Sequence, residues 1–140
     1  MNAYDLLQQH EVKKTLSRIA LINALSESNV PLSENEIRER MREQYDRITF
    51  YRNVQTLSDS GILHRIVIDN THVKYALNCC EQGHKHTVDH VHFYCKECEK
   101  TICLDQVPVQ QYPLPDGFSL SECDVVIKGY CKNCSGGHHA

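Results

Sequence analysis

Two Cys-x-x-Cys pairs constrain this chain more than any other feature of its sequence. The first pair is Cys95 and Cys98, the second pair is Cys131 and Cys134, and residues 99–130 separate them. Four thiolates in two such pairs meet the tetrahedral demand of a structural zinc ion. The separation is longer than in a compact zinc ribbon, so strands must fold between the pairs. The sequence therefore predicts one structural Zn2+ site, with redox or disulfide chemistry as the alternative.

The cysteines and histidines are concentrated in the later part of the chain. All eight cysteines lie after residue 78, and eight of the nine histidines lie at or after residue 64. Residues 1–10 lack a signal-peptide pattern, and no stretch approaches the length of a transmembrane span. We therefore expect a cytoplasmic protein with no membrane partner, whose reduced thiols serve as metal ligands.

The size of the chain favours one ordinary domain or two small ones. Its 140 residues would give each of two domains a thin core, which a metal ion or dimerisation would help to stabilise. Structural zinc contributes on the order of 10 kcal/mol to folding. Apolar or β-branched runs at 93–94, 101–104 and 125–127 are candidate strands around the zinc site.

Helical patterns fill the first part of the chain. Apolar residues at helical spacing follow Thr15 and end before the segment 29–31. Ser33 and Glu36 form a capping-box pattern that opens a second helix. A third helix fits residues Ile48–Ser60, with Gly61 as its stop. Two β-branched runs, 62–68 and 73–77, then predict a hairpin, so the pattern is that of a winged helix-turn-helix. The alternative is a three-helix scaffold with no role at DNA.

Local charge, rather than net charge, favours DNA binding. The chain has 15 basic and 18 acidic side chains and a net charge of −3, so bulk charge gives no support. Basic side chains cluster before and within the first predicted helix and at the start of the third, where a recognition helix meets base edges. The alternative is a core tyrosine beside solvated arginines. The predicted DNA contacts are Lys13, Lys14, Arg18, Thr49, Tyr51 and Arg52.

A second group of potential ligands mixes imidazoles and thiols. His90 and His92 are two residues apart, which places both on one face of a strand. This donor mixture favours zinc over iron(II) or manganese, although copper(I), nickel or cobalt would also fit. The alternative is a metal-free polar linker with a small buried Cys103. The full group comprises His64, Cys79, Cys80, His84, His86, Asp89, His90, His92 and Cys103.

Several segments together resemble the ferric uptake regulator family. Residues 48–52, followed by Leu57 and residues 61–63, are similar to that family's recognition helix and wing entry. The segment 90–98, with its two histidines and the first cysteine pair, is similar to the family's link between sensory and structural metal ligands. Residues 129–134 resemble its C-terminal cysteine pair, and residues 12–18 resemble its N-terminal DNA-contacting segment. The resemblance covers nearly the whole chain in the family's order.

This resemblance implies an α+β fold and a regulatory function. It implies an N-terminal winged helix-turn-helix domain (1–78), a hinge or linker with metal ligands (79–89), and a small C-terminal α/β metal-binding dimerisation domain with a four-cysteine zinc site (90–140). The implied protein is a homodimeric, metal-dependent repressor that binds a double-stranded DNA operator. It would be neither an enzyme nor a binder of a small-molecule substrate.

Departures from the family pattern favour zinc as the sensed metal. Pro31 stands where iron and peroxide sensors tend to have a histidine, and Ala76 stands where they have a carboxylate. The resemblance then implies the zinc uptake branch, with both structural and regulatory Zn2+. The implied structural ligands are Cys95, Cys98, Cys131 and Cys134, and the implied sensory ligands are His64, Cys79, His90, His92 and Cys103.

Three other functions compete with this prediction. A zinc hydrolase would need an open coordination position and a general base, and no motif supports Asp89 or Glu81 in that role. A zinc-storage protein would leave residues 49–52 unexplained. An iron- or peroxide-sensing regulator of the same family is the nearest alternative.

Overall fold

The computed structural model of the chain describes residues 2–78, 91–104, 107–108, 110–121, 123 and 125–135. The chain divides into two compact units, Met1–Lys85 and His86–Ala140. The predicted linker 79–89 lies outside the described residues. Within the part of the chain that is described, no helix is long and apolar enough to cross a membrane.

Helices dominate the described residues of the first unit. They are α1 (Ala3–Gln9), α2 (Leu16–Ser26), α3 (Glu34–Met41) and α4 (Arg47–Asp59), with a 3-10 turn at Arg42–Gln44. Each α-helix begins after a side chain that accepts a backbone N–H of its first turn, which replaces a partner that a helix start lacks. These caps are Asn2, Thr15, Ser33 and Asp46.

The three helices predicted from the sequence are confirmed, and α1 is an addition to them. The capping box at Ser33 is present, with its side chain and that of Glu36 bonded to each other's backbone N–H groups. The third predicted helix begins one residue early, because Asp46 rather than a later residue supplies the cap. The helices enclose one core, in which the fully buried side chains include Leu7, Leu21, Ile37 and Leu57.

The predicted hairpin follows α4 and completes a winged helix-turn-helix. Gly61 ends α4 with a φ of 84°, a left-handed conformation that favours glycine. Strands β1 (Leu63–Val67) and β2 (Val73–Leu77) pair antiparallel. Leu32, in the loop before α3, also bonds to Tyr75 of β2 through backbone N–H to carbonyl contacts of 2.9 and 2.7 Å. The middle residue of β2 is therefore hydrogen-bonded to the loop that precedes α3.

A three-stranded sheet forms the described core of the second unit. Its strands are β3 (Val91–Cys95), β4 (Thr101–Leu104) and β5 (Val125–Gly129), in the order β4-β3-β5. β3 pairs antiparallel with β4 and parallel with β5. All three strands were predicted from the sequence, and β3 and β5 extend beyond the predicted runs. A helical first unit followed by this sheet is the predicted α+β fold class.

Candidate metal centre and nucleic-acid interface

The first cysteine pair spans the end of β3, where Cys95 is the last residue, and the turn that leads to β4. The Cys95 N–H donates to the Lys100 carbonyl at 3.0 Å, and the Glu99 N–H donates to the Cys95 carbonyl at 2.9 Å. Glu99 has a φ of 61°, which lets the chain turn back sharply after Cys98. The hairpin thus presents both thiols at one end of the sheet.

The second cysteine pair reaches the same end of the sheet because β5 runs parallel to β3. Gly129, the last residue of β5, lies opposite Cys95, and its carbonyl accepts the Lys96 N–H at 2.8 Å. A Cβ added at Gly129 would come within 3.3 Å of Phe93 Cζ. A side chain at Gly129 would therefore crowd the Phe93 ring, while the parallel register of β3 and β5 brings Cys131 beside Cys95.

The four sulfur atoms form a compact cluster. The Sγ atoms of Cys95, Cys98, Cys131 and Cys134 all lie within 4.8 Å of one another. A tetrahedral zinc ion with Zn–S bonds of about 2.3 Å separates its sulfurs by about 3.8 Å. Cys98 Sγ and Cys131 Sγ are 3.8 Å apart. None of the four forms a disulfide, so the arrangement fits a tetrahedral thiophilic metal and could hold one ion.

Backbone N–H donors lower the pKa of one thiol in this cluster, Cys95, whereas neighbouring thiols raise the pKa of another, Cys134. Burial raises the pKa of Cys95, but backbone N–H groups of Cys98, Cys131 and Glu97 bring that pKa below its ordinary value. The Cys131 N–H lies 3.4 Å from Cys95 Sγ. Contact with Cys131, together with burial, raises the pKa of Cys134. Several thiolates in one place therefore require a cation, which a divalent metal supplies.

The predicted sensory residues of the second unit include one facing pair. His92 on β3 lies directly opposite Cys103 on β4, so both side chains are on the same face of the sheet. His92 is 1% exposed, and Cys103 is half-buried. His90 and Cys79 lie outside the described residues, as do Cys80, His84, His86 and Asp89.

His64, the predicted sensory residue of the wing, is held by Asn78. His64 lies on β1, and its Nδ1 is 2.5 Å from Asn78 Oδ1. The Asn78 amide nitrogen donates to the Gly61 carbonyl at 2.6 Å. Asn78 therefore connects the imidazole to the turn that ends α4. A histidine bonded through Nδ1 presents Nε2 as its metal-binding nitrogen.

The predicted DNA contacts of α4 lie on its first two turns. The Thr49 N–H donates to Asp46 Oδ2 at 2.9 Å, and Arg52 is exposed. Tyr51 is 45% exposed, its hydroxyl donates to Glu34, and the Arg47 guanidinium lies 6.0 Å from its ring centroid. This end of the helix presents positive charge and an aromatic ring to solvent.

The carboxylate of Glu34 joins α3 to this surface. It accepts hydrogen bonds from the hydroxyls of Tyr45, at 2.5 Å, and Tyr51. Burial raises the pKa of Glu34, but the two phenol bonds and nearby arginines lower it below its ordinary value. The ionised carboxylate thus orients Tyr51 on α4.

The predicted basic patch lies before and at the start of α2. Lys13 and Lys14 are exposed and Arg18 is half-buried. Lys14 Nζ lies 5.8 Å from the Tyr4 ring centroid. Arg18 Nη1 donates to the Lys13 carbonyl at 2.8 Å. The three basic residues therefore belong to one ordered segment of the first unit.

Sequence reasoning missed four residues that shape these surfaces. Ile48 is 71% exposed at the front of α4, where an apolar side chain can contact a thymine methyl group. Glu34, Asn53 and Asn78 orient the side chains of Tyr51, Arg18 and His64. Their partners are distant in sequence, so no local spacing could have indicated them.

A winged helix-turn-helix followed by a unit whose four cysteines could hold a metal ion is the architecture expected of a metal-binding transcription regulator. The model of the ferric uptake regulator family matches residues 9–127. The chain belongs to this family.

The relative found by sequence and the solved structures of similar fold differ in the metal for which they are named. The ferric uptake regulation protein of Staphylococcus aureus is 26% identical over 137 residues, which are 95% of this chain and 96% of that protein. The structure of a zinc uptake regulator complexed with zinc and DNA has a TM-score of 0.67 and 20% identity, over 96% of this chain and 91% of that chain. The structure of the Vibrio cholerae ferric uptake regulator has a TM-score of 0.63 and 18% identity, over 91% of this chain and 98% of that chain. At these identities the structures show the fold alone.

Proposed function

We propose that this chain is a cytoplasmic, zinc-dependent transcriptional repressor that controls zinc-uptake genes. Its family consists of metal-responsive regulators of transcription. Zinc as the sensed metal is supported by one observation above all, which is that an imidazole, His92, faces a thiol, Cys103, across β3 and β4. Nitrogen and sulfur donors together favour zinc over iron(II) and manganese.

The four-cysteine cluster is proposed as a structural zinc site. Its thiols converge from the end of β3, the turn that follows it, and the segment directly after β5. The ion would join two chain segments that a three-stranded sheet alone holds weakly, because such a small unit buries little apolar surface. Its chemistry would be structural, since four thiolates leave no open coordination position.

A second, regulatory zinc ion is proposed at the sensory residues. His64 belongs to the first unit, and His92 and Cys103 belong to the second. An ion that binds residues of both units favours whichever arrangement it binds more tightly, and shifts the equilibrium only by that difference in affinity. The proposed ligands are His64, Cys79, His90, His92 and Cys103.

DNA is the proposed partner of the first unit. We assign DNA binding to residues 1–78, hinge and metal-ligand functions to 79–89, and metal binding with dimerisation to 90–140. A homodimer would place two α4 helices on the half-sites of a two-fold operator. Lys and Arg would neutralise phosphates while the front of α4 meets base edges. The proposed contacts are Lys13, Lys14, Arg18, Thr49, Tyr51 and Arg52.

Iron or peroxide sensing is the second candidate, because the curated relative with 26% identity is a ferric uptake regulation protein. Such a site would bind iron(II) through oxygen and nitrogen donors. Pro31 and Ala76 stand where those sensors tend to place a histidine and a carboxylate.

A metal titration of DNA binding separates the two candidates. Protein that retains only its tightly bound zinc is mixed with DNA fragments selected from a random pool, at fixed salt because phosphate contacts make affinity salt-dependent. Zinc, iron(II) and manganese are then added separately. We expect zinc to switch on binding at the lowest free concentration.

Activation at a lower free concentration of iron(II) or manganese would replace the zinc proposal with the second candidate. Specific DNA binding with no metal response would remove the regulatory site. Absence of specific DNA binding with every metal would refute the repressor function itself.

A further inference from the structure

Asn53 is a polar residue on the buried face of α4. It is 5% exposed, and its neighbours on that face are the apolar side chains of Phe50, Val54 and Leu57. A buried amide is costly unless both its oxygen and its nitrogen have hydrogen-bond partners. The partners of Asn53 therefore indicate why a polar residue occupies this core position.

Both partners of Asn53 lie on the first turn of α2. Asn53 Oδ1 accepts a hydrogen bond from Arg18 Nε at 3.1 Å. Asn53 Nδ2 donates to Ser17 Oγ at 2.9 Å. The side chain thus connects α4 to the basic segment that precedes and begins α2.

Arg18 has a second fixed contact, to the Lys13 carbonyl, through Nη1 at 2.8 Å. The guanidinium is rigid and planar, with five N–H donors. Two bonds, one through Nε and one through Nη1, therefore fix the orientation of the whole group, and neither uses Nη2. Lys74 pairs with Glu36 and His72 with Asp69, and neither of these ion pairs involves Arg18. No carboxylate among the described residues neutralises Arg18.

We propose that Asn53 is a positioning residue for DNA binding, which holds the Arg18 guanidinium so that its Nη2 edge meets a DNA phosphate while α4 lies in the major groove. The inference rests on the proposed DNA-binding function. Asn53 contacts no DNA itself and acts through Arg18. Because phosphate contacts fix the register of a protein on the duplex, the Asn53 bond sets the distance between that contact and the bases that α4 meets.

A thermodynamic cycle at Asn53 and Arg18 tests this inference. The full-length, metal-loaded protein is titrated with a DNA fragment selected by the wild type, over a series of salt concentrations. Arg18→Ala should weaken binding several-fold to tenfold and flatten the dependence of log K on log salt by about 0.9, the value for one phosphate contact. Asn53→Ala should do the same in part or in full. The double variant should bind no more weakly than Arg18→Ala.

Two further variants separate positioning from stability. Val54→Ala truncates a buried side chain on the same helix and should destabilise the fold without changing the salt dependence. Any effect of Val54→Ala on DNA affinity should be independent of Arg18→Ala, so the variant that carries both changes should lose the product of the two single fold-changes. Asn53→Asp keeps an acceptor for Arg18 Nε but adds a charge that neutralises the guanidinium. We expect it to fold and to flatten the salt dependence, which covers the case in which Asn53→Ala does not fold.

The inference is refuted if Asn53→Ala and Asn53→Asp keep the wild-type salt dependence. It is also refuted if the double variant loses the product of the two single effects, because Asn53 would then act independently of Arg18. Both results leave the proposed function standing. If the wild type binds no DNA specifically, the proposed function fails, and the inference fails with it.

Discussion

Asn78 contacts His64 through its amide oxygen and the turn after α4 through its amide nitrogen. Its own N–H donates to the Ile62 carbonyl at 2.9 Å, so its backbone is fixed as well. A ligating histidine depends on such a partner, because the bond at one ring nitrogen sets the orientation and basicity of the other. Asn78 thereby connects a proposed metal ligand to the end of the proposed recognition helix.

Replacing Asn78 by alanine should weaken the regulatory zinc site and leave the structural site intact. Partners of this kind typically contribute 10- to 100-fold in metal affinity, so we expect a loss of at least about 10-fold. The measurement is zinc affinity and stoichiometry by competition with a chelator of known affinity. Asn70→Ala, in the exposed wing turn, is the matched control and should match the wild type. If Asn78→Ala left the zinc affinity unchanged, then either His64 would not be a zinc ligand or Asn78 would not support it.

The cysteine cluster could be predicted from the sequence, whereas the side-chain contacts between helices could not. The spacing of Cys95, Cys98 and the second pair indicated a common site because Cys-x-x-Cys turns in reduced chains typically bind metal. The bond between Arg18 and Asn53 spans 35 residues, and that between Glu34 and Tyr51 spans 17. Spacing patterns describe neighbours within one helix or strand, so such contacts exist only once the helices have packed.

At the scale of elements, α3 is held at its start by two interactions on one carboxylate. Glu36 Oε1 accepts the Ser33 N–H at 3.1 Å and the Lys74 ammonium at 3.0 Å. Lys74 is 8% exposed and lies on β2, so this ion pair joins helix and wing. Burial raises the pKa of Glu36, but the Ser33 N–H and Lys74 outweigh it, and the net pKa lies below the ordinary value.

Because the folded pKa of Glu36 is lowered, its contribution to stability is complete above the unfolded pKa, about 4.3. It is lost as the pH falls through the lower, folded pKa. The Glu36 side chain is 45% exposed, so solvent screening limits the contribution to about 0.5 kcal/mol. Glu36→Gln should lower the free energy of unfolding by this amount at pH 7 and have no effect near pH 3.

Urea denaturation of both proteins at the two pH values provides the measurement. Zinc release at low pH occurs in both proteins and cancels in the difference. Glu39→Gln, exposed on the same helix, should match the wild type throughout. A difference between wild type and Glu36→Gln that persists at pH 3 would assign the effect to packing or to the cap rather than to charge.

The helices and strands were predicted from the sequence, except for α1 and the Leu32–Tyr75 bridge. α2, α3, α4 and the wing had clear periodicity and clear stop signals. α1 has seven residues, too few for a periodic pattern, and it is held by the core contacts of Leu6 and Leu7. The Leu32–Tyr75 bridge involves one residue per side, so no strand pattern precedes it.

At the scale of the whole molecule, two cysteine-to-serine variants should separate folding from sensing. Cys95→Ser removes a thiolate from the four-cysteine cluster, and Cys103→Ser removes the one opposite His92. We expect Cys95→Ser to lower the unfolding temperature of the second unit by at least about 10 °C, since 1 kcal/mol shifts a small domain by about 4–8 °C. Cys103→Ser should stay folded with its structural zinc and lose the zinc response of DNA binding.

Calorimetry, zinc content and DNA titration of the two variants decide the assignment. A stable Cys95→Ser protein that still responds to zinc would contradict the structural role of the cluster. An unfolded Cys103→Ser protein would show that the residue belongs to the fold rather than to the sensor.

The family and the fold followed from the order of motifs along the chain, whereas the sensed metal did not. The four-cysteine cluster is specified by two Cys-x-x-Cys pairs that are visible in the sequence, and the parallel pairing of β3 with β5 brings them together. A sensory site depends on ligands from separate segments, and His90 and Cys79 lie outside the described residues. Metal choice depends on how such ligands converge, which neither spacing nor a shared fold encodes.

The parallel pairing of β3 and β5 has a consequence for engineering the chain. Each cysteine pair directly follows or overlaps the end of a strand, and the described residues of the segment between β4 and β5 include no helix or strand. Asp116 and Gly117 form an exposed turn within that segment, and Gly117 has a φ of 88°. We expect a fluorescent reporter inserted at this turn to leave both cysteine pairs in place, which would give an optical label for the proposed metal site.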